Sequence, residues 1–426
     1  MPQYLSPGVY VEEVPPASQP IAGVATSVAG LIGVVADNVK MPPQPGKFQF
    51  QIQTNDDGTP VLDDNNQPVI LRDDNGRPLL VLDDSGNPVP ELYPVAEANK
   101  PHLVTSWEEF KTKFGDFHEG NKTIAHAVYG FFFNGGSRCY VLRVAAASEI
   151  TNPAEELEKF EAVDEITIVA IPGAISQTQH TAIIAHCAKM ADRVAILDGD
   201  SAQEPSNISG IRPVGRSKQA SYAALYYPWI TVFDPVTNTQ AEVPPSGHLA
   251  GIYARNDTTR GVYKAPANEV VVNALNISKQ ITKAQQDGLN PEGINVIRSF
   301  KGTIKVWGAR TMDEEGGEFG YISTRRYFNF LRESIDDGTQ FAVFEPNNLA
   351  LWQRITRTVS DFLLNQWRDG ALFGETPQKA FFVKCDGETN PPEVRELGQV
   401  VALIGVAIVK PAEFVIFRLQ QMAGES

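Results

Sequence analysis

The sequence predicts a multidomain protein of mixed α/β and α+β class, and three observations carry that reading. From about residue 100 onward, helical periods alternate with short apolar runs, the pattern of a largely parallel sheet sandwiched by helices. The last third changes character, with one long amphipathic helix set between strand-like runs. A chain of 426 residues also exceeds what one hydrophobic core encloses and fits roughly two or three domains.

Taken in order, residues 1–20 read as an extended arm. Pro2, Pro7, Pro15, Pro16 and Pro20 exclude helix, and Val9-Tyr10-Val11 is a short strand-like run between them. Residues 21–35, apolar and interrupted by Gly23, Gly30 and Gly33, predict a buried strand. A repeat follows. Asp56-Asp57, Asp63-Asp64, Asp73-Asp74 and Asp83-Asp84 each precede a turn and then Pro60, Pro68, Pro78 or Pro88, the last three units being ten residues apart. Asp-Asp-Asn-Gly and Asp-Asp-Ser-Gly are hairpin-turn chemistry, because Asn and Gly tolerate positive φ. Residues 45–95 are therefore expected to be an inserted β-meander. A calcium site is the competing reading of paired carboxylates, but the glutamate that closes an EF-hand loop is missing.

Ser106-Trp107-Glu108-Glu109 is a capping box opening a helix that should stop near Gly115. A second helix covers 124–133 and ends at Asn134-Gly135-Gly136. Strands are expected at 139–144, 166–171 and 194–197, with an apolar helix through Ile183, Ile184 and Met190 before the last. Pro244-Pro245 opens a further helix through Leu249, Ile252 and Tyr253. Residues 304–307 read as a strand and 324–336 as a helix. Leu349, Trp352, Ile355, Val359, Phe362 and Gln366 then fall on one face of a long helix. Strands are expected at 380–384 and 398–409, and the stretch 414–419 is strand-like. The domains are thus an arm (1–20), an α/β body (21–300) holding the 45–95 insertion, an α+β domain (301–410) and a terminal strand (411–426).

Composition narrows function by exclusion. The net charge of -15 offers no basic footprint for nucleic acid, and residues 45–95, with nine acidic and three basic side chains, hold -6 of it. Cys139, Cys187 and Cys385 are distant and odd in number, which speaks against a zinc knuckle or a disulfide framework and for a reducing compartment. The opening residues lack a signal-peptide pattern, and the apolar stretch 394–419 is too broken by charge and proline to span a membrane. Synthesis and assembly in the cytoplasm, without direct membrane insertion, is the expectation. No phosphate loop, HExxH, GxSxG or dinucleotide turn is present. His180 and His186, six apart, point to different helix faces, and Asp198-Gly199-Asp200 and Asp336-Asp337 read as loops and turns rather than metal sites. No catalytic residue, cofactor or metal ligand is assigned.

Several segments in consecutive order resemble one family. They are Tyr4-Leu5-Ser6-Pro7-Gly8-Val9-Tyr10-Val11-Glu12-Glu13, the turn and strand from Asn134-Gly135-Gly136 to Arg143, and the segments 192–198, 244–254 and 256–267. In the last third they are 295–299, Val306-Trp307-Gly308-Ala309-Arg310, Glu345-Pro346-Asn347-Asn348 and 409–414. Over about 1–40 and 100–426 the chain resembles contractile tail sheath proteins of phages and phage-tail-like injection systems, and the 45–95 insertion lies outside that likeness. The resemblance implies a structural protein, not an enzyme. It implies stacked hexameric rings around an inner tube, contraction that drives the tube through a target membrane, and baseplate and terminator or cap proteins as further partners. It also implies that terminal strands from neighbouring subunits complete the C-terminal domain. Val9, Tyr10 and Val11 would supply one linking strand, and Val415, Ile416, Phe417 and Leu419 the other. Arg354, Arg357 and Arg368 on the long helix are candidates for touching the tube. The particle would be a phage tail or a tail-like body, docked on a membrane or released. Competing readings are a calcium-dependent adhesin built on the acidic insertion and a minor sheath paralogue near the baseplate.

Overall fold

The computed structural model describes residues 20–416, which fall into two compact units. The larger holds residues 26–259 and 266–322. The smaller holds 20–25, 260–265 and 323–416 of the described chain.

In the larger unit the strands are β1 (Ala29–Val34), β2 (Pro43–Phe48), β3 (Pro90–Leu92), β4 (Pro101–Val104), β5 (Cys139–Val144), β6 (Ile168–Ala170) and β7 (Val194–Asp198). They continue with β8 (Ala223–Tyr227), β9 (Ile230–Asp234), β10 (Thr239–Val243), β11 (Asn276–Ile277), β12 (Ile294–Phe300) and β13 (Thr303–Trp307). The helices are α1 (Trp107–Phe114), α2 (Lys122–Phe133), α3 (Ala154–Glu158), α4 (Gln177–Met190), α5 (Ile208–Ile211), α6 (Ser246–Arg260) and α7 (Lys283–Leu289). Eight strands form one sheet in the order β13-β12-β8-β7-β6-β1-β5-β4. Every neighbour pair is parallel except the two outermost, where β4 and β13 run antiparallel to β5 and β12. An inner parallel set buried on both faces explains why its strands read as near-continuous apolar runs.

Alternation along each strand sorts the side chains into two cores. Leu31, Val141, Ile168, Ile196 and Tyr226 face one side, with Leu249, Ile252 and Tyr253 of α6 and Val128 and Phe131 of α2. Ile32, Leu142, Val169, Leu197 and Tyr227 face the other, with Leu157 and the Ile183, Ile184 and Cys187 stripe of α4. Period two therefore builds a sheet between two helical layers.

Local signals end the helices. Ser106 accepts the Glu109 N–H at 3.2 Å, and Gly115 at φ 80° closes α1. Ser176 and Gln179 form a reciprocal capping box on α4. Helices α2 and α6 approach through glycines. A Cβ on Gly247 would lie well under 3.0 Å from the Ala127 backbone, one on Gly251 as close to the Phe131 carbonyl, and one on Gly130 against the His248 ring.

Residues 43–92 form a thin arm rather than a meander. β2 pairs with β3 at the base, and above them the chain builds a branched ribbon. Gln53, Val61 and Val69 close a ring of three main-chain bonds: Gln53 N–H donates to Val69, Val69 to Val61 and Val61 to Gln53, each at 2.8 Å. Gln51, Leu71 and Leu79 close the next ring, and Gln49, Val81 and Val89 the third. At every ring one hairpin branches off, with Leu62 opposite Pro68, Arg72 opposite Pro78 and Leu82 opposite Pro88. A meander pairs successive runs only with each other. Here the ascending strand 49–53 pairs with each descending unit in turn, because its alternate residues donate to one partner and accept from another.

The smaller unit contains α8 (Ile322–Thr339), α9 (Leu349–Arg368), α10 (Pro377–Ala380), β14 (Phe381–Lys384), α11 (Pro392–Glu396) and β15 (Leu403–Val406). Its core joins Trp352, Ile355, Val359 and Phe362 of α9 to Tyr327 and Leu331 of α8, with Val262 and Ile21 from the two distant stretches. Leu349, placed on the apolar face by its spacing, is exposed at the helix start. Residues 301–322, grouped with the last domain from sequence, lie in the larger unit because β13 pairs with β12. The strand expected over 398–409 is confined to Leu403–Val406, since Pro391-Pro392 start a helical turn that Gly398 ends at φ 70°.

Candidate assembly surfaces

In the smaller unit β14 and β15 make a sheet of only two strands. Phe381, Val383, Ile404 and Val406 pack inward on the core containing α9. Phe382 and Leu403 point outward at 52% and 53% exposure. The Phe382 ring lies over Gly405, where any Cβ would collide with it. A two-stranded sheet is marginal by itself, and the outer edges of β14 and β15 have no further strand among the described residues. Such edges are acceptors for strand addition.

Val9, Tyr10 and Val11, and Phe417 and Leu419, lie outside the described residues. Val415 and Ile416 are described and are 69% and 80% exposed, in chain with no regular secondary structure. They are not a strand of the chain's own sheet, which ends its pairing at the Leu372–Ile408 bridge.

Arg354, Arg357 and Arg368 fall within about 60° of arc on α9, opposite its apolar face, at about 100° per residue. Arg357 and Arg368 are exposed, whereas the Arg354 guanidinium sits 4.1 Å from the centre of the Phe341 ring. Asp361 lies on the same stripe. Two of the three arginines are thus exposed and one is packed on a ring.

Asp198, fully buried at the end of β7, accepts from Gly173 N–H at 3.0 Å, Ser246 N–H at 2.9 Å and the Ser246 hydroxyl at 2.7 Å. Burial pushes its carboxyl up to about 6 against those bonds. It fixes the start of α6 to the strand ends, so the Ser246 hydroxyl is spent as a donor. Asp200 accepts from Ala202 and Gln203 in its own turn. His180 and His186 are both buried on α4, His180 against the Ala174 carbonyl at 2.9 Å, and burial lowers both, His186 to about 4. Two functional-looking groups went unnoticed in the sequence. His248 is buried on α6 and lowered by burial to about 3. Asp234 is held down to about 2, because the bonds from Lys122, Val236 and Thr237 outweigh its burial. Neither residue sits in a motif that announces it.

In the arm, Asp57 accepts from Thr59 in the first turn, and the first aspartate of each of the three later pairs serves its own turn. Asp63 accepts from Asn65 and Gln67, Asp73 from Asn75 and Arg77, and Asp83 from Ser85 and Asn87, all at 2.8–2.9 Å. Asn66, Gly76 and Gly86, ten apart, take the positive φ these turns need.

The chain thus combines a layered α/β body with an α+β unit whose two-stranded sheet has open edges among the described residues, and the comparisons name its family. The model of the phage tail sheath central domain matches residues 148–312, and that of the phage tail sheath C-terminal domain matches 314–422. The chain belongs to the contractile tail sheath family. It is 27% identical over 201 residues to the tail sheath protein of Vibrio phage KVP40, covering 46% of this chain and 29% of that protein. It is 25% identical over 187 residues to that of Enterobacteria phage T4, covering 43% and 28%. The chain therefore spans less than a third of the length of these curated relatives. Solved structures extend the likeness to both ends. The sheath complex of the extracellular contractile injection system PVC in its contracted state matches with a TM-score of 0.71 and 25% identity, over 99% of both chains. The contracted helical sheath of the anti-feeding prophage (AFP) matches with a TM-score of 0.69 and 27% identity, over 97% of this chain and 99% of that one.

Proposed function

We propose that this chain is the repeating subunit of a contractile sheath. It would stack as hexameric rings around an inner tube, bounded by baseplate and terminator or cap proteins, and contract to drive the tube through a target membrane. The observation that carries this reading is the likeness over 99% of both chains to a sheath in its contracted state. The β14–β15 sheet edges, open among the described residues, support it, as does the exposed chain at 414–416, which has no regular secondary structure. On this reading Val9, Tyr10 and Val11 of one neighbour and Val415, Ile416, Phe417 and Leu419 of another add strands to that sheet. Main-chain bonds then hold the mesh together while the globular bodies rotate. Arg357 and Arg368 would meet the tube, with Arg354 anchored behind them. The work of contraction comes from burying more surface between bodies, a small gain per subunit multiplied along the sleeve.

Electron microscopy of the full chain beside a variant lacking residues 1–20 tests this. Hollow helical tubes from the full chain, lost on trimming, are the expected result. Tubes from both would overturn the N-terminal linkage. A full chain that neither forms tubes nor decorates purified inner tube would overturn the sheath reading.

A further inference from the structure

The branched ribbon repeats on both of its sides in matching steps. Its descending side advances ten residues per ring, through 61–70, 71–80 and 81–90. Its ascending side advances two, and the sequence there is Phe48-Gln49-Phe50-Gln51-Ile52-Gln53, an apolar residue and a glutamine per ring. Each glutamine closes a ring with its backbone. Each apolar residue lies opposite the last residue of a descending unit: Phe48 opposite Pro90, Phe50 opposite Leu80 and Ile52 opposite Ile70. The Gln49 and Gln51 side chains also donate to the Pro90 and Leu80 carbonyls at 3.2 and 3.0 Å. Among the described residues, the hydrogen bonds of 44–92 run only within that stretch, and the body is met at its foot, where Met41 and Tyr93 join the core.

We propose that residues 43–92 are an arm of adjustable length, whose unit is twelve residues: two of the ascending strand and ten of the descending chain. Each unit is one complete ring with one branch hairpin, so a unit can be removed or added without disturbing the rings on either side. One step changes the reach by about 6.8 Å, the rise of two strand residues. Its edges suit such a role. Pro60, Pro68, Pro78 and Pro88 stand at bridge positions whose backbone nitrogen faces outward, where proline offers no N–H to an incoming strand. The arm is thus a spacer that can vary in length while staying out of strand exchange. This inference does not rest on the sheath reading and is tested on the unassembled full chain.

The test compares two deletions by amide hydrogen exchange. The matched variant lacks Phe50-Gln51 together with residues 71–80, which brings Ile52 and Ile70 into the places of Phe50 and Leu80. The unmatched variant lacks residues 71–80 alone. In the matched variant the Gln53, Val61 and Val69 amides should keep their protection within about threefold of the parent chain. In the unmatched variant that protection should fall at least tenfold, with the β1 and β5 amides unchanged in both. Equal loss in the two variants, equal retention in both, or a body unfolded by the matched deletion would each overturn the proposal. A variant with one added unit, a second Phe-Gln pair and a second copy of 71–80, should gain one further set of three protected amides. Failure to gain them would equally refute it.

Discussion

Replacing Gly251 with alanine tests the close approach of α6 to the α2 backbone. Alanine is the better helix former by about 1 kcal/mol, so without an obstacle the change would stabilise α6. The obstacle is backbone. The new Cβ would meet the Phe131 carbonyl oxygen well under 3.0 Å away and the Asn134 Cβ at 2.9 Å. Helix α2 must then move, and Asn134 cannot follow freely. Its side chain donates to the Gly130 and Val272 carbonyls and accepts from Val272 N–H at 2.8 Å. Overpacking of this kind costs about 1–3 kcal/mol, and a weakened buried hydrogen bond about 1 kcal/mol more. The net expectation is a loss of about 2 kcal/mol. Gly288, inside α7 with nothing within 4 Å of its added Cβ, is the control, and there alanine should gain about 0.5–1 kcal/mol. Urea unfolding of the unassembled chain, read through tryptophan fluorescence, should therefore move the midpoint down for Gly251→Ala and up for Gly288→Ala. A midpoint unchanged or raised by Gly251→Ala would refute the claim that α2 and α6 touch backbone to backbone.

Acid should unfold the larger unit. His248 and His186 have folded values depressed from 6.5 to about 3 and about 4, so their neutral forms contribute stability present above pH 6.5 that is lost as pH falls towards those values. At about 1.4 kcal/mol per pH unit this removes about 5 and about 3 kcal/mol. Asp198 opposes them, because its carboxyl is raised from 3.8 to about 6 and its contribution grows as pH falls through that range. Circular dichroism against pH should show steeply falling stability below about pH 5, and His248→Asn should flatten that slope; an unchanged slope counts against the buried neutral histidine. Replacing Pro68, Pro78 and Pro88 together with valine restores three outward N–H groups, and sedimentation velocity should then show self-association absent from the parent. A triple variant as monomeric as the parent would show that the prolines do not guard the edge. Arg357→Glu with Arg368→Glu should leave the unfolding midpoint within about 0.5 kcal/mol, as for exposed sites, while reducing assembly around purified tube. Undiminished assembly would remove these residues from the proposed tube contact.

The body's pattern was legible where one local rule governed it. Apolar runs such as Val194–Asp198, Ser106 before its helix and Gly115 after it all appear in the structure at their expected places. The hairpin of β9 and β10 was missed, although Asp234-Pro235 and Asn238 at positive φ mark its turn. The arm shows why a period alone underdetermines topology. Ten-residue spacing located the turns, but only the two-residue Phe/Ile–Gln alternation at 48–53 tells that one strand serves all three rings. The extent of the smaller unit was illegible for a different reason. Val262 and Ile21 carry no local mark of the core they join, since their partners lie far along the chain. Of the candidate site, the arginine stripe could be read from helical spacing, whereas the tether of Arg354 to Phe341 could not.

That the smaller unit is gathered from three separate stretches has a consequence for how such a chain is cut and inherited. Val24 N–H bonds Ser334 Oγ at 3.1 Å, Gly23 leaves just enough room for the Phe330 ring, and Tyr263 donates to the Asp369 carbonyl at 3.0 Å. A fragment beginning at residue 323 would carry the helices and the sheet yet lack the pieces that seal them. It should leave the Tyr327 and Phe330 surfaces wet. The chain crosses between its two units four times, so neither can be exchanged as a cassette by a single join. Recombination that preserves the fold must move nearly the whole chain or else fall within the arm, where both ends of a repeat lie on one ribbon.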